Sequence, residues 1–115
     1  MIQLAAVAVG GAAGSILRYG VQKAFNASFP SGTMLVNLIG CFLIGILWAT
    51  LKQSDEQKRL LLMTGFCGGF TTFSAFTLEG VQMMMSGRWA VAFLYTTASV
   101  IGGLMATFLG YKIFN

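Results

Sequence analysis

Long apolar stretches separated by short polar connections constrain this chain more than any other feature of its sequence. Of its 115 residues, 57% are hydrophobic and only 9% are charged, which leaves too little polar surface for a chain surrounded by water. A helix that spans a bilayer takes roughly 20 apolar residues, so this length accommodates four such helices. We therefore predict an all-α integral membrane protein with four transmembrane helices and no soluble catalytic domain.

The predicted spans end where the apolar stretches meet turn residues or charges. They cover residues 2–25, 33–51, 60–85 and 89–113 and form a single transmembrane domain over residues 1–115. The first connection contains the only proline, Pro30, two residues before Gly32, and both residue types favour turns. The apolar start of the chain lacks the basic residues of a signal peptide, so we expect it to belong to the first span.

The third span contains a segment that a continuous helix would not favour. Residues 65–76 read GFCGGFTTFSAF, with glycines and threonines where leucine and alanine are better helix formers. We expect the helix to break over Gly68–Thr72, in the middle of this span. The break would free backbone carbonyls at membrane depth, where they must be buried in protein or line a cavity. Freed carbonyls can bind a hard cation such as sodium. A glycine-packed but unbroken helix is the alternative that spacing leaves open.

The basic residues are divided almost evenly between the two sides of the membrane. With four spans the termini share one side, which holds Lys52, Lys58, Arg59 and Lys112, and the other side holds Arg18, Lys23 and Arg88. Orientation follows the side that has more Lys and Arg, so such a small bias allows insertion both ways. We predict an antiparallel dual-topology homodimer, with a single orientation as the alternative. The scattered charges form no basic patch for a nucleic-acid partner.

Three polar residues within the spans are candidates for function. Thr33 and Asn37 lie four residues apart on one face of the second span. A side-chain amide at membrane depth is costly unless it bonds to another helix or faces water, and spacing leaves both uses open. Glu79 is the only acidic residue within a predicted span, and pairing with Arg18 or Arg88 is one alternative to a functional role.

Two phenylalanines that follow the glycine-rich segment suggest contact with an anion. Phe73 and Phe76 lie three residues apart on one helical face, and Ser74 and Thr77 form a second pair at the same spacing. The edge of an aromatic ring carries partial positive charge, and a conducting site must bind an ion weakly enough to release it. Phenylalanines at helical spacing more commonly fill a core or face lipid. Tyr95 offers another hydroxyl in the fourth span.

Two segments identify the family that the chain resembles. Residues 32–40 read GTMLVNLIG and residues 65–76 read GFCGGFTTFSAF; with Arg18 near the end of the first span, they resemble the signature segments of the Fluc (CrcB-type) fluoride ion channels. The resemblance implies a passive, fluoride-selective channel in the bacterial inner membrane that exports cytoplasmic fluoride and so relieves its toxicity. It also implies a dual-topology homodimer with two antiparallel pores.

The resemblance further implies roles for individual residues. Phe73 and Phe76 would be the pore phenylalanines, and Asn37 would be an amide donor near them. The other residues that it places along the fluoride path are Thr33, Ser74, Thr77 and Tyr95, with Arg18 in the vestibule at the aqueous entrance. The backbone carbonyls of Gly68 and Thr71 from both subunits would hold a structural Na⁺ that is not transported. Ala75 stands where the family often has Ser or Thr, which removes one hydroxyl.

Other functional classes are weighed against the channel. A small proton-coupled multidrug exporter of dual topology has a similar outline but needs an acidic residue in the first span, and residues 1–25 contain none. A non-conducting structural subunit would move no ion when purified. We expect no enzyme, because the chain has no histidine, no pair of nearby carboxylates within a span and no base beside either cysteine.

Overall fold

The computed structural model describes all residues from Met1 to Asn115, and the chain is helical apart from short connections. Helix α1 covers Ile2–Phe25 and helix α2 covers Ser31–Thr50. The third span consists of α3 at Glu56–Arg59, a π-helical segment, π1, at Leu60–Cys67, α4 at Gly68–Phe70 and α5 at Phe73–Met85. Helix α6 covers Trp89–Phe114.

Four helical segments are long and apolar enough to cross a membrane, which confirms the predicted all-α architecture with four spans. The third of them, Glu56–Met85, begins before residue 60, where the prediction placed its start. The polar residues of α3 continue the helix, because charged side chains are tolerated once the chain has left the hydrocarbon layer. The second begins at Ser31, directly after Pro30, rather than at residue 33.

Glycines allow the helices to pack with their backbones in contact. A Cβ atom at Gly10 or Gly14 of α1 would collide with backbone atoms in the first half of the third span, and a Cβ at Gly45 of α2 would collide with the Thr107 carbonyl of α6. In a bilayer, where no hydrophobic effect drives helices together, such close approach supplies much of the packing energy. Helix α1 therefore supports the first half of the broken span, and α2 pairs with α6.

The outer surface of the single chain is strongly apolar. Only 19 of its 115 residues are buried, and the exposed residues include large apolar side chains on every spanning segment. Phe73 is 75% exposed although it follows directly on the helix break. A surface of this kind requires lipid or another protein chain as its neighbour.

Candidate functional site

The third span is interrupted at Thr71 and Thr72, within the glycine- and threonine-rich segment. Both residues are extended, with φ −93° and ψ 159° at Thr71 and φ −150° and ψ 116° at Thr72. The Thr72 side chain accepts a hydrogen bond of 3.0 Å from the Ala75 N–H and so caps α5. Threonine suits this position because its hydroxyl satisfies an N–H that the helix start leaves unpaired.

Asn37 of α2 pairs with the peptide groups at the break. Its Nδ2 donates to the Thr72 carbonyl at 3.0 Å, and its Oδ1 accepts from the Thr72 N–H at 2.7 Å. One side-chain amide thus satisfies both backbone groups of an extended residue at membrane depth, where water is not available to do so. The structure therefore shows Asn37 bonded to a neighbouring helix, and its contact with fluoride stays a prediction.

The break leaves two particular carbonyl oxygens without a donor. In a continuous α-helix the N–H groups of Thr72 and Ala75 would donate to the carbonyls of Gly68 and Thr71. Here those N–H groups donate to Asn37 and to the Thr72 hydroxyl instead, and Gly68 is exposed on the surface of the chain. Hard cations prefer oxygen ligands of this kind, so the two carbonyls fit the sodium ion that the family resemblance implies.

Arg18 lies beside the break, on α1. Its Nε donates to the Gly69 carbonyl at 2.9 Å, and one terminal nitrogen donates to Gln22 Oε1 at 3.4 Å. A guanidinium is favoured at this place because the half-helix that ends at Phe70 directs its negative dipole end toward it. The side chain is partly buried, and its location in an aqueous vestibule stays a prediction.

Thr33 is the centre of a polar network between α1, α2 and α5. Its side chain is fully buried; its hydroxyl donates to Glu79 at 2.9 Å and accepts from Gln22 at 3.0 Å and from Asn26 at 3.2 Å. A buried hydroxyl with all of its bonding capacity used holds three elements in a fixed arrangement. The predicted contact of Thr33 with fluoride is not required by this geometry and stays a prediction.

Glu79 is held by neutral donors and by no cation. Its carboxylate accepts from the Thr33 hydroxyl at 2.9 Å, the Asn26 amide at 3.1 Å and the Tyr95 hydroxyl at 3.2 Å. Neither Arg18 nor Arg88 reaches it, because Arg18 donates to Gly69 and Gln22 and Arg88 donates to the Ser28 carbonyl. The alternative of an ion pair is therefore not realised in this structure.

Sequence reasoning missed Gln22 and Asn26, which join α1 to this network. With Arg18 they lie at intervals of four residues and therefore on one face of the helix. Three polar side chains in register near the end of an apolar span are a signal that the sequence contained.

The aromatic residues of the site form a continuous group from the interior to the surface. Ring centroids of Tyr95 and Phe76 are 5.2 Å apart, and those of Phe76 and Phe73 are 5.6 Å apart. Tyr95 and Phe76 are buried, whereas Phe73 is exposed. Such spacing brings ring edges within reach of one another and of a small ion between them.

Ser74 and Thr77 lie on the outer surface of the single chain. The Ser74 hydroxyl lies 3.3 Å from that of Thr72, and the Thr77 hydroxyl donates to the Ser74 carbonyl at 3.0 Å. The structure thus gathers one part of the predicted site inside the chain and leaves Phe73, Ser74 and Thr77 facing outward.

A cleft of about 370 Å³ adjoins the break, between α2, α5 and α6. Asn37, Thr71, Phe73 and Phe76 line it together with Ser99, whose hydroxyl is buried without a hydrogen-bond partner. A four-span protein that combines an interrupted helix, freed carbonyls and a polar network at membrane depth is of the class that moves small solutes or ions across a membrane.

The chain belongs to the CrcB-like family, since the family model described as "CrcB-like protein, Camphor Resistance (CrcB)" matches residues 5–111. A relative from a Caulobacter species is 48% identical, with 98% of this chain and 94% of the relative covered. A relative from Rhizobium leguminosarum is 44% identical, with 98% of this chain and 96% of the relative covered. One from Flavobacterium psychrophilum is 41% identical, with 93% and 92% covered. All three are named fluoride-specific ion channel FluC. The resemblance that the signature segments indicated is confirmed.

Proposed function

We propose that this protein is a passive fluoride channel, a multi-pass protein of the bacterial inner membrane that lets cytoplasmic fluoride leave the cell. The observation that carries the proposal is identity of 41–48% with proteins named fluoride-specific ion channels, over more than nine tenths of each chain. The family is one of channels, which confirms the prediction that the chain is not an enzyme.

A passive pore is sufficient for this task. Fluoride crosses membranes as neutral hydrofluoric acid from acidic surroundings, ionises in the more neutral cytoplasm and is trapped there as an anion. A negative-inside potential drives an anion outward by about 2.3 kcal/mol per 100 mV. Export therefore needs neither ATP nor a coupled proton. Glu79, the only carboxylate in the apolar part of a span, is held by three neutral donors.

The path that we propose for fluoride follows the aromatic group and the polar residues beside it. The ring edges of Phe73 and Phe76 replace part of the ion's hydration shell with partial positive charge. The Ser74 hydroxyl lies along the way, and the hydroxyls of Thr77 and Tyr95 can donate to the ion when they release the Ser74 carbonyl and the Glu79 carboxylate, to which they donate in the single chain. Contacts of this strength release an ion more readily than a full cationic charge would, as conduction requires.

The arrangement of these residues supports an antiparallel homodimer in lipid. Phe73, Ser74 and Thr77 face outward from the single chain, so a second copy is needed to enclose a path that they share with Phe76. The even distribution of basic residues on the two membrane sides permits opposite insertion of the two copies. In such a pair each chain completes the path of the other.

A structural sodium ion would join the two subunits at the break. The free carbonyls of Gly68 and Thr71 from two copies supply four oxygen ligands, which is a ligand set that suits a hard monovalent cation. The chain has no cluster of histidine, cysteine, aspartate or glutamate able to hold a metal ion, so the ligands proposed here come from the backbone. The ion would neutralise carbonyl dipoles that are otherwise unpaired.

Fluoride efflux from liposomes that contain only the purified protein tests the proposed function. A potassium ionophore dissipates the voltage, a fluoride-selective electrode reads the release, and the same vesicles are loaded with chloride in a parallel experiment. We expect rapid fluoride loss and negligible chloride loss, with protein-free liposomes as the control. Folded, reconstituted protein that releases no fluoride would contradict the channel and favour proton-coupled export through Glu79.

A further inference from the structure

A polar basin opens between the two connections on one side of the membrane. Its volume is about 260 Å³, and only two of its nine lining residues are hydrophobic. It lies between the connection from α1 to α2 and the connection from α5 to α6, with Glu79 and Gln82 of α5 in its wall. Because its lining is polar and it lies where spans end, the basin is suited to hold water.

Arg88 is the only cationic side chain that lines the basin. Its guanidinium donates to the Ser28 carbonyl at 2.8 Å and so joins the two connections. Its backbone N–H donates to the Met83 carbonyl at 2.8 Å, directly after Gly87, whose φ of 81° turns the chain. The side chain is thus fixed at the rim, and a guanidinium has five N–H donors, so a single bond to Ser28 leaves others free for an anion.

The opposite charge lies on the inner side of the same basin. Glu79 accepts hydrogen bonds from neutral partners only, and no cation forms an ion pair with its carboxylate. Tyr95, which donates to Glu79, is in ring contact with Phe76 of the proposed fluoride path. An anion that enters by this basin would therefore meet repulsion from Glu79 just before the aromatic residues.

We propose that Arg88 attracts fluoride into this basin and offsets the repulsion from Glu79, and so sets the rate at which fluoride enters. The proposal rests on the proposed channel function. A unit charge roughly 8 Å from the ion in water changes the local anion concentration about two- to threefold. Salt screens such an effect, since the Debye length falls from roughly 30 Å at 0.01 M ionic strength to roughly 10 Å at 0.1 M and roughly 3 Å at 1 M.

The test compares initial fluoride efflux at sub-saturating fluoride for the wild type, Arg88→Lys, Arg88→Gln and Arg88→Glu. Each variant is measured in liposomes at two concentrations of an impermeant salt, about 0.01 M and about 0.5 M. The Debye length is roughly 30 Å at the first and less than roughly 10 Å at the second. Lys23→Gln is the matched control. Lys23 is a basic residue in the last turn of α1, the end of the helix that leads to the basin, but it does not line the basin.

At low salt we expect Arg88→Lys to release fluoride at the rate of the wild type. The rate of Arg88→Gln should fall about two- to threefold, and the rate of Arg88→Glu should fall further. At high salt these differences should shrink, and Lys23→Gln should have a smaller effect at both. A loss in Arg88→Gln that is the same at both salt concentrations would overturn the proposal and assign Arg88 a positional role. Equal effects of Lys23→Gln and Arg88→Gln, or unchanged rates, would also overturn it. A wild type that releases no fluoride would refute the channel itself.

Discussion

Replacing Asn37 with leucine should destabilise the protein more than the loss of an ordinary hydrogen bond within a membrane. The substitution removes two bonds, of 3.0 and 2.7 Å, and leaves the N–H and the carbonyl of Thr72 without partners. Interhelical hydrogen bonds in membrane proteins contribute about 0.6 kcal/mol each on average, whereas a buried polar group left unsatisfied costs about 1–3 kcal/mol. Because both groups lie at membrane depth, we expect a loss of about 2–6 kcal/mol in the free energy of unfolding.

The control for this prediction is Thr107→Val. The Thr107 hydroxyl donates to the Cys41 carbonyl at 2.9 Å between α6 and α2, so the substitution removes an interhelical bond without leaving a backbone N–H unpaired. Its expected cost is about 0.6 kcal/mol. Both variants are unfolded reversibly in mixed micelles and followed by the fluorescence of Trp48 and Trp89. A loss in Asn37→Leu no larger than that in Thr107→Val would refute the assignment of Asn37 as the partner of the broken backbone.

Three further predictions concern the path, the topology and the packing. Phe76→Ile should slow fluoride efflux at least about tenfold, which corresponds to about 1.4 kcal/mol in the barrier. The control, Phe93→Ile on the exposed surface of α6, should leave the efflux rate unchanged. Equal efflux rates in the two variants would exclude the ring-edge contact. Two lysines added within residues 52–59 should bias insertion to one orientation, and efflux should then require co-expression with an oppositely biased variant; full efflux from the biased variant alone would rule out an obligate antiparallel pair. Gly14→Leu should prevent folding because its Cβ would collide with backbone atoms of the third span, whereas Gly20→Leu has open space; equal yields of folded protein from the two would contradict the packing of α1.

Hydropathy and span length were sufficient to predict the four helices, because a bilayer admits few other arrangements of so apolar a chain. The break was predictable from glycine and threonine content to within Gly68–Thr72, but its exact location at Thr71 and Thr72 was not. That location depends on Asn37, which is far away in the sequence and supplies the hydrogen bonds that make an extended residue tolerable there. A local pattern contains no information about such a partner.

The polar network was predictable only in part. Thr33 and Glu79 stood out as polar residues within spans. Their mutual bond and the roles of Gln22 and Asn26 depend on how α1 packs against α2 and on the contact that Asn26, just after α1, makes with Glu79 of α5. The π-helical segment could not be predicted either, because hydrogen-bond register within a helix has no clear sequence signal.

That π-helical segment makes the first half of the third span tolerant of a change in chain length over Leu60–Cys67. A π-helix bonds each residue to one position further along than an α-helix does, so it accommodates extra chain without lengthening the span. Deleting one residue there would restore α-helical bonding and leave the Gly68 carbonyl facing nearly the same way, whereas a deletion in an ordinary α-helix rotates everything that follows by about 100°. Substitutions that preserve volume change only local packing. A change of one residue in length should therefore be tolerated better in this segment than in α5, whereas Gly65 should stay glycine, because a Cβ there would lie 3.0 Å from the Cα of Gly10 in α1.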